Sequence, residues 1–556
     1  MVLSPDGARL VYPIRGSDGR QRLATRLLDQ TTVTTLPGTE AASDPFFSPD
    51  GQWIGFAADS KLKKIAVNGG PPVTLCDAAH LQGPCWGQDG NIGATLSSTI
   101  TGLSLVPSSG GAPRRLTTPG QGEVTHRWPQ ILPGGNAILF TTSVSTIGFE
   151  NGNIDVVVLK TGERKTVLRG GYFGRYLPTD RETGTLVYVH EGTLFGVPFD
   201  PVHLERRGTP AALLEDVASS SVDGSAQFDF SQTGTFVYRT GRAAEQQWPA
   251  VWLDDAGKTT PLLSTPGTYF TPRLSPDGRR LALAVEEGFR RDLSIYDWQR
   301  DTISRLTFSR RENYYPLWTA DGRHLAFRSD SSSSSGIGWI RSNGGGEPHL
   351  LLESKSSIIP NSLSPDGRRV AFQQQGPNAT FELWTLPLDM SDSDVPKPGK
   401  PELFLRTQAN EARPAFSPDG HWMAYYSDES GRNEVYVRPF PADASGRKWQ
   451  ISNGGGLNEI WSRDGRELFF VSLDNHIMVA GYTIQGDSFI PDKPRLWSPT
   501  PIRETGLVMN LDVAPDGKRV VVFPVSGATT EENSSLHVNF LLNYFDELRR
   551  RFPEAK

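Results

Sequence analysis

Ser275-Pro276-Asp277-Gly278, followed at once by Arg280-Leu281-Ala282-Leu283-Ala284-Val285, is the stretch whose reading decides the fold. Proline presets φ at the second position of a tight turn, aspartate bonds the backbone ahead of it, and glycine takes the positive φ that other residues resist. The apolar run behind the turn suits a strand buried between packed sheets. The same phrase stands at Ser4-Pro5-Asp6-Gly7, Ser48-Pro49-Asp50-Gly51, Ser364-Pro365-Asp366-Gly367 and Ser417-Pro418-Asp419-Gly420. Weaker copies keep the turn and change the letters, as in Gly87-Gln88-Asp89-Gly90, Leu132-Pro133-Gly134-Gly135, Ser231-Gln232-Thr233-Gly234, Thr319-Ala320-Asp321-Gly322, Ser462-Arg463-Asp464-Gly465 and Ala514-Pro515-Asp516-Gly517. With a degenerate copy near Thr183-Gly184 there are about twelve, spaced by about 45 residues, which is the signature of a repeat architecture.

Behind each turn come further strand patterns, such as Asp292-Leu293-Ser294-Ile295-Tyr296-Asp297 and then Ile303-Ser304-Arg305-Leu306. Four short antiparallel strands per repeat are the dimensions of one propeller blade. Twelve blades exceed the four to eight of a common ring, so the chain of 556 residues reads as all-β, two tandem β-propellers. The polar run Gly241–Gln247 sets the boundary, giving a first propeller over residues 1–245 and a second over 246–556. Six blades plus six is the favoured partition. Seven plus five is the rival, because Pro249-Ala250-Val251-Trp252-Leu253 could close the first ring or open the second. A ring needs its terminal strands locked together, and Leu536-His537-Val538-Asn539-Phe540 is expected to lock the second.

The formal net charge is −6 and the basic residues are scattered through turns, so no stripe for a phosphate backbone is visible and nucleic acid is not an expected partner. No apolar run approaches the roughly 20 residues of a membrane span, and the sequence opens on a repeat without a signal peptide, as a fragment of something longer would. Cys76 and Cys85 could form a local disulfide or remain two buried thiols. Two cysteines without a nearby histidine pair do not fill a zinc shell, so no metal and no cofactor are expected. Asp428 to Glu434 offers oxygens that calcium could use, but the spacing is not that of an EF-hand and a hairpin turn is the simpler reading. Ser331–Ser335 and Ser391–Lys400 read as exposed loops.

The repeats resemble the TolB-type, WD40-like propellers, whose blades share a Pro-x-x-Ser-Pro-Asp-Gly turn. Here Pro45 to Gly51 and Pro414 to Gly420 carry it. More narrowly, Leu36-Pro37-Gly38-Thr39-Glu40, His126-Arg127-Trp128-Pro129-Gln130, Glu191 to Asp200 and Ser427 to Val437 resemble the propeller region of bacterial receptor-like serine/threonine kinases. That resemblance implies a sensory or scaffolding portion, extracytoplasmic, with a kinase domain in a longer parent. No Gly-rich loop, His-Arg-Asp or Asp-Phe-Gly set occurs in this chain. Propellers also precede the hydrolase domain of prolyl-oligopeptidase-like peptidases, but there is no Gly-x-Ser-x-Gly elbow here.

In a propeller the residues leading into each turn phrase ring the mouth of a central channel. The second ring supplies Asn313, Tyr314, Tyr315, Asn361, Arg413, Asn458 and Trp461, a mixture of donors, acceptors and flat apolar faces suited to a peptide, protein or glycan. In the first ring His126, Arg127 and Trp128 form the densest candidate cluster, with a hydrogen-bonded structural role as the plainer reading for the histidine. His324, His349, His421 and His476 read as surface or packing residues. The expectation is a non-catalytic, sensor-like binding or scaffolding module. The alternative is a propeller glycoside hydrolase or polysaccharide lyase, in which Glu411, Glu459 and Asp512 from successive blades converge as acid, base or nucleophile.

Overall fold

The computed structural model describes residues 1–16, 21–78, 81–96, 102–120, 123–144, 148–179, 184–221, 223–240, 248–287, 290–309, 311–331, 334–376, 380–442, 446–503, 509–524 and 538–552. The expected boundary run Gly241–Gln247, and Leu536 and His537 of the expected locking strand, lie outside these residues. The chain divides into two compact units, Met1–Ala244 with Glu532–Lys556, and Glu245–Glu531.

The turn phrase works as a small hydrogen-bonded module. Ser417 Oγ donates to Asp419 Oδ1 at 2.5 Å and accepts from the Trp422 amide at 2.9 Å, the Asp419 carboxylate also accepts from the His421 amide, and Gly420 sits at φ 76°. The Ser275, Ser364, Ser48 and Ser4 copies repeat the Ser–Asp bond. The bond from the serine holds the Asp277 and Asp50 carboxyls below their ordinary range. Each turn therefore fixes where the next strand starts, and register follows.

In unit 1 the blades are four-stranded antiparallel sheets in sequence order, the first running from Val2–Leu3 through Arg9–Arg15 and Gln21–Leu27 to Thr34–Thr35. Five such blades are followed by a sixth built from Phe228–Phe230, Phe236–Tyr238 and Asn539–Leu541. The sequence assigned the C-terminal strand to the second propeller; it pairs instead with the first, Phe236 facing Leu541 and Tyr238 facing Asn539. The physical reason is an edge: Phe236–Tyr238 would otherwise present an unpaired row of backbone groups. The helix Tyr544–Arg551 then seals the blade, burying Tyr544, Phe545 and Leu548 against Phe236, Leu177 and Val187. Its acidic first turn and basic last turn agree with the helix dipole.

Unit 2 closes with its own strands. Trp248–Asp254 pairs with Arg519–Val522, Val251 facing Val522, so the Pro249–Leu253 segment belongs here. The long strand Thr259–Leu274 serves two blades, its first part pairing with Trp248–Asp254 and its last part with Arg280–Glu287. What is formally a seven-stranded sheet is thus two adjoining blades of four, and with the sheets that begin at Glu312, Ile358, Glu411 and Leu457 each unit has six blades among the described residues.

Middle strands are buried on both faces, Trp422–Ser427 and His324–Asp330 along their whole length, whereas an outer strand such as Thr302–Arg305 is exposed throughout. Neighbouring blades of unit 2 pack face to face: Ala412, Trp422 and Val435 of the fourth meet Trp461, Leu468 and Phe489 of the fifth. Each such large apolar side chain contributes about 1.5–3 kcal/mol by burial. Among the described residues no helix is long and apolar enough to cross a membrane.

Candidate functional site

The inner strand of most blades carries a bulge whose residue is left-handed. In unit 2 these are Thr271, Tyr315, Arg413 and Asn458, at φ 49°, 54°, 58° and 58°, and the strand register slips at each. In unit 1 the counterparts are Asp44, Gly83, Trp128 and Phe173. A bulge sets two residues against one on the partner strand and re-aims the side chains there. The residue after the left-handed one is Pro272, Pro316 and Pro414 in three blades of unit 2, and Pro45, Pro84 and Pro129 in unit 1. Proline suits a bulge, where an amide is spared from the ladder. In the fifth blade of unit 2 that residue is Glu459.

At the turn end of these inner strands all six blades of unit 2 line one cleft of about 480 Å³. Such a volume is within the range of ligand-binding pockets. Its polar lining comes from Arg273, Asn361, Ser362, Arg413, Glu459, Arg463 and Asp512, its apolar lining from residues including Leu274, Leu317, Trp318, Phe416, Trp461 and Met509. Asp512 is committed: Oδ2 accepts the Leu274 amide at 2.7 Å and Oδ1 lies 3.5 Å from Arg273 Nη1. Arg463 reaches from the fifth blade to the first, donating to the Pro276 and Leu274 carbonyls at 2.7 and 2.9 Å. Burial lowers the Arg273 guanidinium from its ordinary value; Asp512 opposes that, and repulsion from Arg413 and Arg463 adds to it.

Glu459 is different. It is 2% exposed, and among the described residues neither carboxyl oxygen has a hydrogen-bond partner. Burial pushes its carboxyl up to about 8, against weaker pulls from its own amide and from the Arg413 guanidinium.

Of the residues singled out from sequence, Asn361, Arg413, Trp461, Glu459 and Asp512 line this cleft. The others are held elsewhere. Asn313 is buried among Arg311, Asp292 and Ser329, accepting from Ser329 Oγ at 2.9 Å. Tyr314 is fully buried with its hydroxyl on Asp330, and the Arg328 guanidinium lies over its ring at 5.1 Å. The Tyr315 amide donates to Thr271 Oγ1, and Asn458 occupies the bulge beside Glu459. Glu411 stands at the opposite end of its strand from the turn, accepts from Thr407 Oγ1 at 2.6 Å, and does not line the cleft; the expected convergence of three carboxylates does not form. Burial raises its carboxyl as well.

The flat faces expected to meet a peptide, protein or glycan are also engaged within the protein. Trp461 donates from Nε1 to the Ala415 carbonyl at 3.0 Å and packs edge-on against Tyr482, while Trp318 donates to the Arg273 carbonyl and lies under Arg280 at 4.8 Å. Both indoles tie one blade to its predecessor. Arg463 was missed by sequence reasoning, although it replaces the proline of the turn phrase, and Trp318 and Met509 carried no signal.

In unit 1, His126 is fully buried, with Nδ1 2.7 Å from Thr117 Oγ1 and Nε2 3.1 Å from Glu123 Oε2. Burial lowers its imidazole. Arg127 lies over the Phe149 ring at 4.8 Å, and Trp128 donates from Nε1 to the Asp223 carbonyl at 2.8 Å. The cluster is a blade junction. Cys76 and Cys85 are free thiols, and among the described residues no group of three or more His, Cys, Asp or Glu side chains could hold a metal ion.

Comparison with known proteins agrees with the topology. The TolB beta propeller domain, PD40, matches residues 242–402. The chain is 24% identical over 205 residues to YuxL of Bacillus subtilis, described as an uncharacterized peptidase; the match covers 30% of this chain and 31% of YuxL, so the chain spans about a third of that protein's length. Solved structures similar to it include a putative TolB from Agrobacterium tumefaciens, 19% identical with a TM-score of 0.37 over 50% of this chain and 99% of that one. TolB from Acinetobacter baumannii is 13% identical with a TM-score of 0.33, over 62% of this chain and 79% of that one. Over residues 242–402 the repeats match the TolB-type propeller blade, and the other blades share their four-stranded antiparallel topology.

Proposed function

We propose that the chain is a binding module without chemical turnover whose unit 2 cleft receives a peptide segment of a protein ligand. The observation that supports this reading most directly is a single cleft to which all six blades contribute, with its indole nitrogens and flat aromatic faces already engaged within the protein. A saccharide is ordinarily held on open aromatic platforms, whereas an extended peptide needs spaced polar groups and apolar pockets. The kinase-associated resemblance of the sequence gives such a module a place, as the sensing portion of a longer protein.

A displayed random-peptide library selected on the purified chain tests this. Ala320 is exposed and lines the cleft within a turn, so Ala320→Trp obstructs the mouth without entering the core. Selected peptides should bind the native chain and lose binding to Ala320→Trp. Failure to select any peptide, or selected peptides that bind both proteins equally, defeats the proposal.

A second reading is favoured by one feature, the placing of a raised carboxyl, Glu459, in the same cleft as the carboxylate Asp512. A raised carboxyl that shares a cleft with a second carboxyl group is a feature of glycosidase sites. Turnover of a chromogenic glycoside or polysaccharide by the chain, abolished in Glu459→Gln, would establish it. The peptidase name of YuxL supports hydrolysis less well, because this chain matches only part of YuxL and has no nucleophile elbow.

A further inference from the structure

Glu459 is a departure from the repeat that the fold does not need. Three other blades of unit 2 place proline at this bulge position, and proline satisfies it at no electrostatic cost. A carboxyl group there is buried without a partner, which destabilises the unit unless something else is gained. Three guanidinium groups, Arg273, Arg413 and Arg463, line the cleft, the first near enough to the other two to feel their repulsion, and Asp512 is the carboxylate set against them. With Glu459 uncharged, the cleft holds three positive groups against one negative group, an electrostatic invitation to an anion. A cationic ligand would have to enter against all three.

We propose that the cleft selects a peptide segment bearing a carboxylate, from an acidic side chain or a free C-terminus, with Glu459 donating a hydrogen bond to that carboxylate and Arg273 and Arg413 drawing it in. The inference rests on the peptide-binding reading above and specifies its ligand. It requires Glu459 in its protonated form, which burial favours. Ionisation of Glu459 would put two carboxylates face to face and expel the ligand. The other charged or titratable groups around it are Arg273 and Asp512 of the first and sixth blades, Arg413 of the fourth with Tyr315 and Tyr426 behind it, and Arg463 in the turn after its own strand. No histidine is among the described lining residues, so loss of binding above neutral pH reports Glu459.

The test uses two fluorescent pools of random short peptides, read by anisotropy on the whole chain near pH 6 and near pH 9. One pool has free C-termini and contains Asp and Glu; the other is amidated, with Asn and Gln in their place. The native chain should bind the carboxylate pool about tenfold tighter near pH 6, the worth of one hydrogen bond to a charged group, and lose most of that preference near pH 9. Glu459→Gln still donates from its amide and cannot ionise, so it should keep the preference at both pH values. A merely structural glutamate would not give that rescue. Equal binding of the two pools at both pH values overturns the carboxylate inference and leaves peptide binding standing, and so does a preference in the native chain that ignores pH. Binding of neither pool overturns both readings together.

Discussion

Glu459→Gln should remove the fall in unit 2 stability with rising pH that Glu459 causes, and the size of the effect follows from the burial of one carboxyl group. The folded value is about 8 and the ordinary value 4.5. Between those two pH values the unfolded chain has released this proton while the folded chain still holds it. The folded state then binds more protons, so stability falls as pH rises through the window. At about 1.4 kcal/mol per unit over about 3.5 units, the loss amounts to roughly 5 kcal/mol as an upper figure, since relaxation and water entry reduce it. That is a large share of the roughly 5–15 kcal/mol that holds a domain folded. Glutamine keeps the volume and has no proton to release, so the variant should be flat across the window and overtake the native chain above it. Urea unfolding followed by tryptophan fluorescence suits the measurement, because ten of the thirteen tryptophans fall in Glu245–Glu531 and the signal reports chiefly on unit 2. Parallel pH profiles for the native chain and Glu459→Gln between about pH 5 and pH 9 would refute the burial argument, and with it the special status given to this residue.

Ser417→Ala removes both the acceptor for the Trp422 amide and the donor to Asp419; it should cost about 1–2 kcal/mol, read as a lower urea midpoint at unchanged slope. At Asn458, whose φ is 58°, substitution by glycine should leave stability within about 0.5 kcal/mol, while valine should cost about 2 kcal/mol in the same assay. Arg164 bonds both Glu123, at 2.7 Å, and the buried Asp155, at 2.8 Å. Arg164→Met should therefore lower the stability of unit 1 by about 2 kcal/mol at neutral pH, with the deficit shrinking in acid as Glu123, whose carboxyl Arg164 helps to hold low, protonates; thermal melts at neutral and acid pH check it. Burial pushes the Cys85 thiol up to about 11 and raises that of Cys76 less strongly, so iodoacetamide at mildly alkaline pH should label Cys76 first, by peptide mass spectrometry.

The turn phrase made the blades legible because every one of its letters has a local job: the serine and aspartate bonds and the glycine φ are complete within six residues, so they are readable without knowing the rest of the chain. The closing of the rings was not legible in that way. Asn539–Leu541 could pair with any exposed edge of its length, and what decides for Phe236–Tyr238 is the packing of Tyr544 on Phe236, rings 4.5 Å apart, which no local pattern announces. The site was half legible for a related reason. Arg413, Glu459 and Asp512, which stand just before a turn, line the cleft, but strand alternation and bulges turned Tyr314 and Asn313 into the blade interior, and Glu411 lay a full strand length away from the turn. Residue type made Trp461 a candidate flat face for a peptide or glycan, whereas the indole N–H found a carbonyl one blade back.

A repeat protein builds its scaffold from what its copies share, so a binding site has to be written in what they do not. Just before the turn, the first to sixth blades of unit 2 offer Arg273, Leu317, Ser362, Ala415, Ile460 and Asp512, one from each, although the turns that follow are nearly interchangeable. That position tolerates such variety because the bulge beside it has already interrupted the ladder, and a side chain there alters little of the hydrogen bonding that defines the blade. The same freedom explains why Glu459 could replace a proline without unmaking its strand, which still pairs Ile460 with Phe469 and Trp461 with Leu468. A buried ionisable group that neither strand pairing nor core packing requires is, on this argument, the most informative departure in the chain, and it lies where all six blades meet.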